Sequence, residues 1–317
     1  MNILSVIVQR LGLGILTVLI VSLLVFVGTE ILPGDVAHAI LGQGATPELV
    51  ANIRERLGLD EPAHLRYLAW LGELLRGDLG TSLANGAILN DVIGERIGNT
   101  VLLAAVTAAI AVPLSIVLGL VASTRPDSAI DRLISTSTLA LISVPDFLIA
   151  VLLVSLFAVQ LGWLPAIANL NRVDGFLEYA RVLALPVTAL SFTVMAHMAR
   201  MTRSAVLNVL TSSPIEMAIL KGVPKWRIIL VHALPNAIAP IINVIALNLA
   251  YLITGIVVIE SMFNFPGVGR LMVEGVTTRD IPLVQAAAMI FCSTYVVLNL
   301  AADIVSLIAN PRVRHPK

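Results

Sequence analysis

Groups able to do chemistry are sparse in this sequence, and their surroundings narrow what they can do. Asp146 follows Pro145 inside an apolar run. A carboxylate so placed lines a polar pathway, binds a cationic group of a solute, or satisfies backbone freed by the proline. The pathway reading is taken here, with Asn243 and Asn248 of a later apolar run as companion candidates. Glu260 and Asp303 stand near the ends of apolar runs, where pairing or exposure at an interface accounts for them. The five histidines show no ligand spacing, and His197 reads as a hydrogen-bonded packing residue. The single cysteine, Cys292, lies in an apolar stretch and forms neither an internal disulfide nor a thiolate cluster. The three lysines follow Leu220, Pro224 and Pro316, so no phosphate-cradling loop ending in Gly-Lys is present. Neither a His-Glu-x-x-His zinc motif nor a Gly-x-Ser-x-Gly nucleophile elbow occurs.

The most informative segment is polar and short. Ser213-Pro214-Ile215-Glu216 reads as a capping box, with Ser213 as N-cap and proline at the first helical position. Ile215, Met217, Ala218 and Leu220 supply an apolar surface, Lys221 closes the helix, and Gly222 provides a left-handed stop. Pro224 starts a second helix carrying Lys225, Trp226 and Arg227, and Pro235 interrupts the chain after His232 and Leu234. A two-turn helix is marginal alone and needs something to pack on. Trp226 and the neighbouring basic residues suit a headgroup region. By itself, this pattern also describes an interfacial helix pair in any polytopic protein.

The elements that position these residues follow from composition. The 317 residues are 58% hydrophobic and 13% charged, with net charge zero and mean hydropathy +0.95. A soluble domain needs more charge to cover its surface, and nothing points to nucleic acid. About 20 apolar residues cross a hydrocarbon core of ~30 Å. Six runs qualify: 11–32, 101–122, 133–161, 182–199, 237–259 and 283–309. The first is longer than a secretory core, and Pro33-Gly34-Asp35 separates it from the Ala37-His38-Ala39 mimic of a cleavage site, so it reads as a retained span. With an inside N-terminus, eleven Lys and Arg fall on the inner side: Arg10, Arg125, Arg132, Arg200, Arg203, Lys221, Lys225, Arg227, Arg312, Arg314 and Lys317. Only Arg172, Arg181, Arg270 and Arg279 fall in the two short outer loops, which favours both termini in the cytoplasm.

Residues 33–99 form the long first outer segment, expected to be helical because a bare loop of that length is unusual. Thr46-Pro47-Glu48 reads as a helix start and Gly58 as its stop. Asp60 begins a second helix whose Leu65, Leu68, Leu71 and Leu75 recur on one side. The segment carries nine carboxylates against five arginines, so it is an acidic helical cap: either a packed ectodomain or a docking surface for an external partner.

Glu216-Met217-Ala218, three residues, Gly222, nine residues, then His232-Ala233-Leu234-Pro235 resembles the signature of permease subunits of ATP-binding cassette importers. That signature reads Glu-Ala-Ala, three residues, Gly, nine residues, Ile-x-Leu-Pro. Met217 departs from it, and His232 departs in a way typical of the dipeptide/oligopeptide/nickel branch. Further stretches are similar to that branch: Leu32-Pro33-Gly34-Asp35, Arg66-Tyr67-x-x-Trp70-Leu71, Gly77-Asp78-Leu79-Gly80-x-Ser82, Val144-Pro145-x-Phe147 and Leu161-Gly162-Trp163-Leu164-Pro165. Nearer the end, Phe265-Pro266-Gly267-Val268-Gly269-Arg270, Arg279-Asp280-x-Pro282, Asn299-Leu300-x-x-Asp303 and Asn310-Pro311-Arg312-Val313-Arg314 continue the likeness over nearly the whole chain.

The resemblance implies an all-α polytopic protein with six spans of the type I importer permease kind. Its parts are an N-terminus and first span (1–32), an extracytoplasmic helical segment (33–99), a five-span core (100–309) holding the coupling loop 200–235, and a cytoplasmic tail (310–317). It implies half of a translocation pathway in a bacterial inner membrane, paired with a second permease that is usually a related but different chain. Two cytoplasmic ATPase subunits grip the Ser213–Gly222 knob, and an extracytoplasmic binding protein delivers substrate. No cofactor is expected on this chain, with ATP and Mg²⁺ held by the ATPases. The 265–270 turn (Phe265, Pro266, Gly267, Gly269, Arg270) is expected to form an outer ledge. Gly119 and Gly255 are expected to permit close packing or bending of their spans. Peptides are the commonest substrate class implied; nickel chelates, glutathione and opine- or sugar-like solutes remain open. The rival class is an ion-coupled secondary transporter using Asp146.

Overall fold

In the computed structural model, which describes residues 3–31, 46–56, 60–170, 173 and 175–309, the apolar runs form long helices. The 32–35 and 37–39 motifs, Gly58, Arg172 and the tail 310–317 lie outside the described residues. The helices, in chain order, are α1 (Ile3–Ile31), α2 (Pro47–Arg56), α3 (Ala63–Leu75), α4 (Leu89–Thr124), α5 (Ala129–Ile142) and α6 (Asp146–Leu153). They continue with α7 (Phe176–Leu210), α8 (Ser213–Leu220), α9 (Leu234–Met262), α10 (Val268–Thr278) and α11 (Ile281–Ala309). Strand pairing among the described residues is confined to an isolated bridge between Thr81 and Ile88. Five helices are long and apolar enough to cross a membrane, or six if the bent pair α5–α6 counts as one span. The chain is an all-α polytopic membrane protein.

Three sequence expectations change here. The third run is not one straight helix: Ala129–Ile142 and Asp146–Gln160 meet at 103°. Pro145 has no N–H to donate, and it pushes Val144 out of the helical region, so the chain turns at the proline. Second, several helices outrun their apolar stretches. α4 starts at Leu89, so the expected boundary at residue 99 falls inside it, and α7 runs on to Leu210 through the polar residues assigned to a loop. Third, Pro235 does not interrupt the chain. It sits in the first turn of α9, directly after a π-helical stretch Ile228–Ala233, and the two make one helix from Ile228 to Met262. Inside that continuous helix Pro235 has no N–H to donate, and the π-helical stretch just before it is the kind of irregularity by which a helix absorbs the missing bond. The side-chain amide of Asn236 donates to the carbonyl of His232 at 2.6 Å, covering an acceptor at the join.

The chain divides into two compact units: residues 1–11, 101–265 and 297–317, and residues 12–100 and 266–296. The first is organised on α7, the most buried of the long helices, which packs against α9, α5 and α6. Its core includes Leu103, Leu185, Leu190, Met198, Ile256, Phe263 and Phe265. Gly119 lets α4 press onto α7: a Cβ there would lie 2.7 Å from the Ala199 carbonyl oxygen and 2.7 Å from Thr202 Cβ. At Gly255, a Cβ would meet Leu190 at 3.3 Å and Asp146 Oδ2 at 3.6 Å. Arg10 and Asp303 pair at 3.0 Å, the pairing expected for a carboxylate near a span end.

The second unit has its own core of Leu89, Ile93, Val268, Leu271, Leu283, Ala286 and Ala287. Buried Asp280 accepts hydrogen bonds from the Ser82 hydroxyl, from Leu83 N–H at 3.1 Å and from Leu283 N–H at 3.5 Å. Thr46 opens α2 as expected, its hydroxyl accepting from Leu49 N–H at 3.4 Å. The next helix starts at Ala63 rather than Asp60, and Asp60 instead pairs with Arg54 at 3.0 Å. The leucine side of α3 is also not its packed side. Tyr67 and Trp70 pack on Phe26 of α1, while Leu65, Leu68 and Leu75 are exposed.

Candidate functional site

Helix α8 is a two-turn knob rooted on one side. Ile215 is 1% exposed and packs with Ile228 and Ala233, against Val209, Leu210, Ala218 and Val223. The neighbours come from the end of α7 and the approach to α9, so the knob is seated on both helices at once. Its other surface presents Met217, Ile219 and Leu220, and Trp226 is exposed beyond the turn. The apolar residues grouped together from sequence therefore separate: Ile215 and half-buried Ala218 anchor, whereas Met217 and Leu220 face outward. This corrects the assignment of Ile215 as a contact for a partner. A side chain that buried holds the knob in place.

The helix ends also differ from the expectation at one terminus. Ser212, not Ser213, is the cap residue, and it makes no side-chain capping bond. Its carbonyl instead accepts from Ile215 N–H at 3.0 Å and Glu216 N–H at 3.1 Å. Proline occupies the second helical position, where the missing donor is one of the orphans of the first turn. At the other terminus, Gly222 has φ +74°, and nothing lies within 4 Å of where its Cβ would be. Val223 N–H then donates to Ala218 O at 3.2 Å, closing the end of the helix.

Asp131 at the start of α5 is 3% exposed and takes a two-pronged bond from Arg203 of α7, both prongs 2.6 Å. Asp127 N–H (2.8 Å) and the Ser135 hydroxyl (3.2 Å) complete its coordination. The geometry is the fork arrangement that arginine and carboxylate favour. It pins α7 two turns before Leu210, where the chain leaves for α8. Sequence reasoning missed this pair because its members stand 72 positions apart. The local signal was Ser128-x-x-Asp131, which the structure shows as a cap, the Ser128 hydroxyl accepting from Asp131 N–H at 3.3 Å.

The pathway candidates also separate. Pro145 is the cap residue of α6, and half-buried Asp146 accepts from the Thr193 hydroxyl at 2.7 Å. Thr193, His197, Arg200 and Ser204 recur along α7 at helical spacing, so Asp146 stands at one end of a polar line. A cleft of about 350 Å³ is lined by Ile142, His197, Arg200, Met201 and Ser204. The His197 ring lies 6.2 Å from the exposed Tyr251 ring. Asn243 is half-buried on α9. Asn248 is 7% exposed, donates to the Val244 carbonyl of its own helix at 2.8 Å, and its amide also reaches Met201 Sδ, a cleft-lining residue, at 4.0 Å. The expected ledge is likewise buried: Phe265, Gly267 and Gly269 are inside, and Arg270 pairs with Glu274 at 2.7 Å. Phe265 is a core side chain because aromatic area is worth more buried than displayed.

The described residues thus give a polytopic helical protein with a rooted, outward-facing knob and a polar line along α7. Residues 111–315 match the family model described as binding-protein-dependent transport system inner membrane component, and residues 3–104 match its N-terminal companion. The chain belongs to that family and is a permease subunit of a multi-pass inner-membrane importer. It is 38% identical over 311 residues to a putative peptide transport system permease protein of Brucella abortus (strain 2308), covering 98% of this chain and 99% of that one. It is 35% identical over 309 residues to a probable peptide ABC transporter permease protein of Sinorhizobium fredii, with the same shares of each chain covered. The glutathione transport system permease protein GsiC of Salmonella typhimurium is 35% identical over 313 residues, again covering 98% and 99%.

Proposed function

We propose that this chain forms one half of the pathway of an ATP-driven importer of peptides. The observation that carries the coupling part of this reading is the knob: Ile215 and Ala218 inward, Met217, Ile219 and Leu220 outward, and Gly222 closing the helix. A cleft in a soluble ATPase grips the outward residues, and the rooted side carries the movement into α7 and α9. ATP and Mg²⁺ belong to the ATPase subunits, and this chain supplies no catalysis and binds no cofactor. A second, related permease completes the pathway, and an extracytoplasmic binding protein delivers the substrate. Both termini and α8 lie on the cytoplasmic side, in keeping with the Lys and Arg bias. The peptide class, glutathione included as a tripeptide, is supported by the printed names of the relatives. Asp146 with Thr193, and the cleft beside His197 and Arg200, are the groups of this chain that meet the peptide's charged ends.

The test is affinity co-purification in mild detergent, followed by ATPase assay and uptake of a di- and tripeptide panel in proteoliposomes. Recovery of an ATPase and a second permease, lost with Glu216→Lys plus Gly222→Val, is the expected result. Isolation of this chain alone, with uptake driven by an ion gradient and abolished by Asp146→Asn, would overturn it.

A further inference from the structure

Helix α3 has two unlike sides. On one, Tyr67 and Trp70 meet Phe26 of α1 at ring distances of 5.4 and 6.0 Å, and the Tyr67 hydroxyl shares a 2.9 Å hydrogen bond with buried Ser22. On the other, Leu65, Leu68 and Leu75 are 48%, 60% and 78% exposed, and no residue of the helix is fully buried. Three large apolar side chains displayed on a thirteen-residue helix would be costly in water. The contacts to α1 say what covers them. Phe26 is five residues from the end of α1 at Ile31, which at 1.5 Å per residue is about 7–8 Å along the span. Ser22 is nine residues from that end, about 13–14 Å along it. α3 is therefore held at the depth where interfacial amphipathic helices lie, roughly 5–10 Å into the boundary between headgroups and acyl chains.

Two further observations fit the same level. Arg66 reaches back to Glu30, next to the end of α1, keeping its charge toward the headgroups while the neighbouring Tyr67 points deeper. The span α3 rests on also exposes Leu23, Leu24, Val27 and Ile31, an apolar surface of the kind a bilayer covers.

We infer that α3 is a membrane-embedded interfacial helix whose Leu65, Leu68 and Leu75 edge inserts among acyl chains in the leaflet at the Ile31 end of α1. The Tyr67–Trp70–Phe26 aromatic group fixes its depth in the manner of an interfacial belt. This assigns the segment to the bilayer rather than to a soluble cap, and it holds α1 at a set height.

The experiment uses the full chain in lipid nanodiscs on a Cys292→Ser background, with single cysteines at Leu68→Cys, Leu65→Cys and, as a water-exposed control in the neighbouring hairpin, Ala84→Cys. A membrane-impermeant maleimide should label the two leucine positions at least about tenfold more slowly than position 84. A bimane label at position 68 should be quenched by lipid carrying a nitroxide on its acyl chain. Equal labelling at all three positions with no acyl-chain quenching would overturn the inference. So would protection of position 68 that appears only when a soluble binding protein is added, because the leucines would then be a protein-docking edge. Since these leucines are exposed, the variants fold whichever outcome holds.

Discussion

Arg203 on α7 holds buried Asp131 on α5 with two 2.6 Å bonds, and the two ends of this pair differ in exposure. The carboxylate is 3% exposed and the arginine 26%. Removing either partner is therefore not equivalent. Arg203→Met leaves a buried carboxylate with only Asp127 N–H and the Ser135 hydroxyl as donors. Asp131→Asn leaves a guanidinium that can turn toward solvent. Loss of one partner of a buried pair costs on the order of 3–5 kcal/mol, and the arginine variant should approach that figure, with the asparagine variant about half as damaging. Thermal melts in detergent read the order. The pair Asp131→Leu with Arg203→Met should recover part of the loss, because no charge is then left stranded. An arginine variant as stable as wild type would show that the fork holds nothing together.

Gly222 ends α8 in the left-handed region of the backbone map. Its φ of +74° costs a residue with a Cβ about 1–2 kcal/mol, and the open space around it means the cost is backbone strain alone. Asparagine tolerates this region better than alanine, and a β-branched residue fares worst. Peptide uptake should fall in the order Gly, Asn, Ala, Val, while membrane insertion stays intact and ATPase activity becomes independent of substrate in Gly222→Val. Normal uptake with retained substrate-stimulated ATPase in Gly222→Val would refute the lever role of α8.

The apolar spans were legible because a bilayer imposes their length, and the knob because its Gly and Pro residues mark its ends. What escaped the sequence depended on partners far along the chain. α7 continues to Leu210 because Arg200 and Arg203 are good helix formers, so polarity ended the apolar run without ending the helix. Two adjacent serines, Ser212 and Ser213, make the cap position uncertain by one, and the backbone settled on the first. The leucine periodicity of α3 was real, but the aromatic side won the contact with α1, and the leucines were left outside. In a membrane, exposure of apolar residues is no penalty, so the rule that the apolar face is the packed face fails there. Phe265 went the other way: expected on an outer ledge, it is a core side chain.

Helix glycines provide a paired test. At Gly119 an added Cβ would lie 2.7 Å from the Ala199 carbonyl oxygen, and no side-chain change on α7 removes a backbone atom. Gly119→Ala should therefore destabilise by roughly 1–3 kcal/mol through forced separation of the helices. At Gly72 in α3 an added Cβ meets nothing within 4 Å. Gly72→Ala should be neutral or stabilising, by up to about 1 kcal/mol, because the unfolded chain loses freedom and the helix gains a better former. Thermal melts of both variants in one lipid check the contrast. Equal effects of the two substitutions would mean that the closeness of α4 and α7 is not a packing constraint.

Asp280 ties a hairpin to a helix start, and its accounting of donors predicts graded damage. One oxygen accepts from Ser82 and the other from Leu83 N–H and, as the cap of α11, from Leu283 N–H. Asp280→Ala strands these donors in a buried place, at about 1–3 kcal/mol for each one left without a partner. Asp280→Asn keeps one carbonyl oxygen for the backbone amides, and its own N–H₂ can donate to a rotated Ser82 hydroxyl, so it should be milder. Ser82→Ala removes only the hydroxyl and leaves both amide bonds, so it should be milder still. Because the stranded amides belong to the 81–88 hairpin and the α11 start, the effect should appear locally before it appears globally. Amide hydrogen exchange at Leu83 and Leu283 should speed up in the order Ala, Asn, then Ser82→Ala. Unchanged protection at both amides in Asp280→Ala would show that the hairpin is held by its apolar contacts through Leu79 and Leu89 instead.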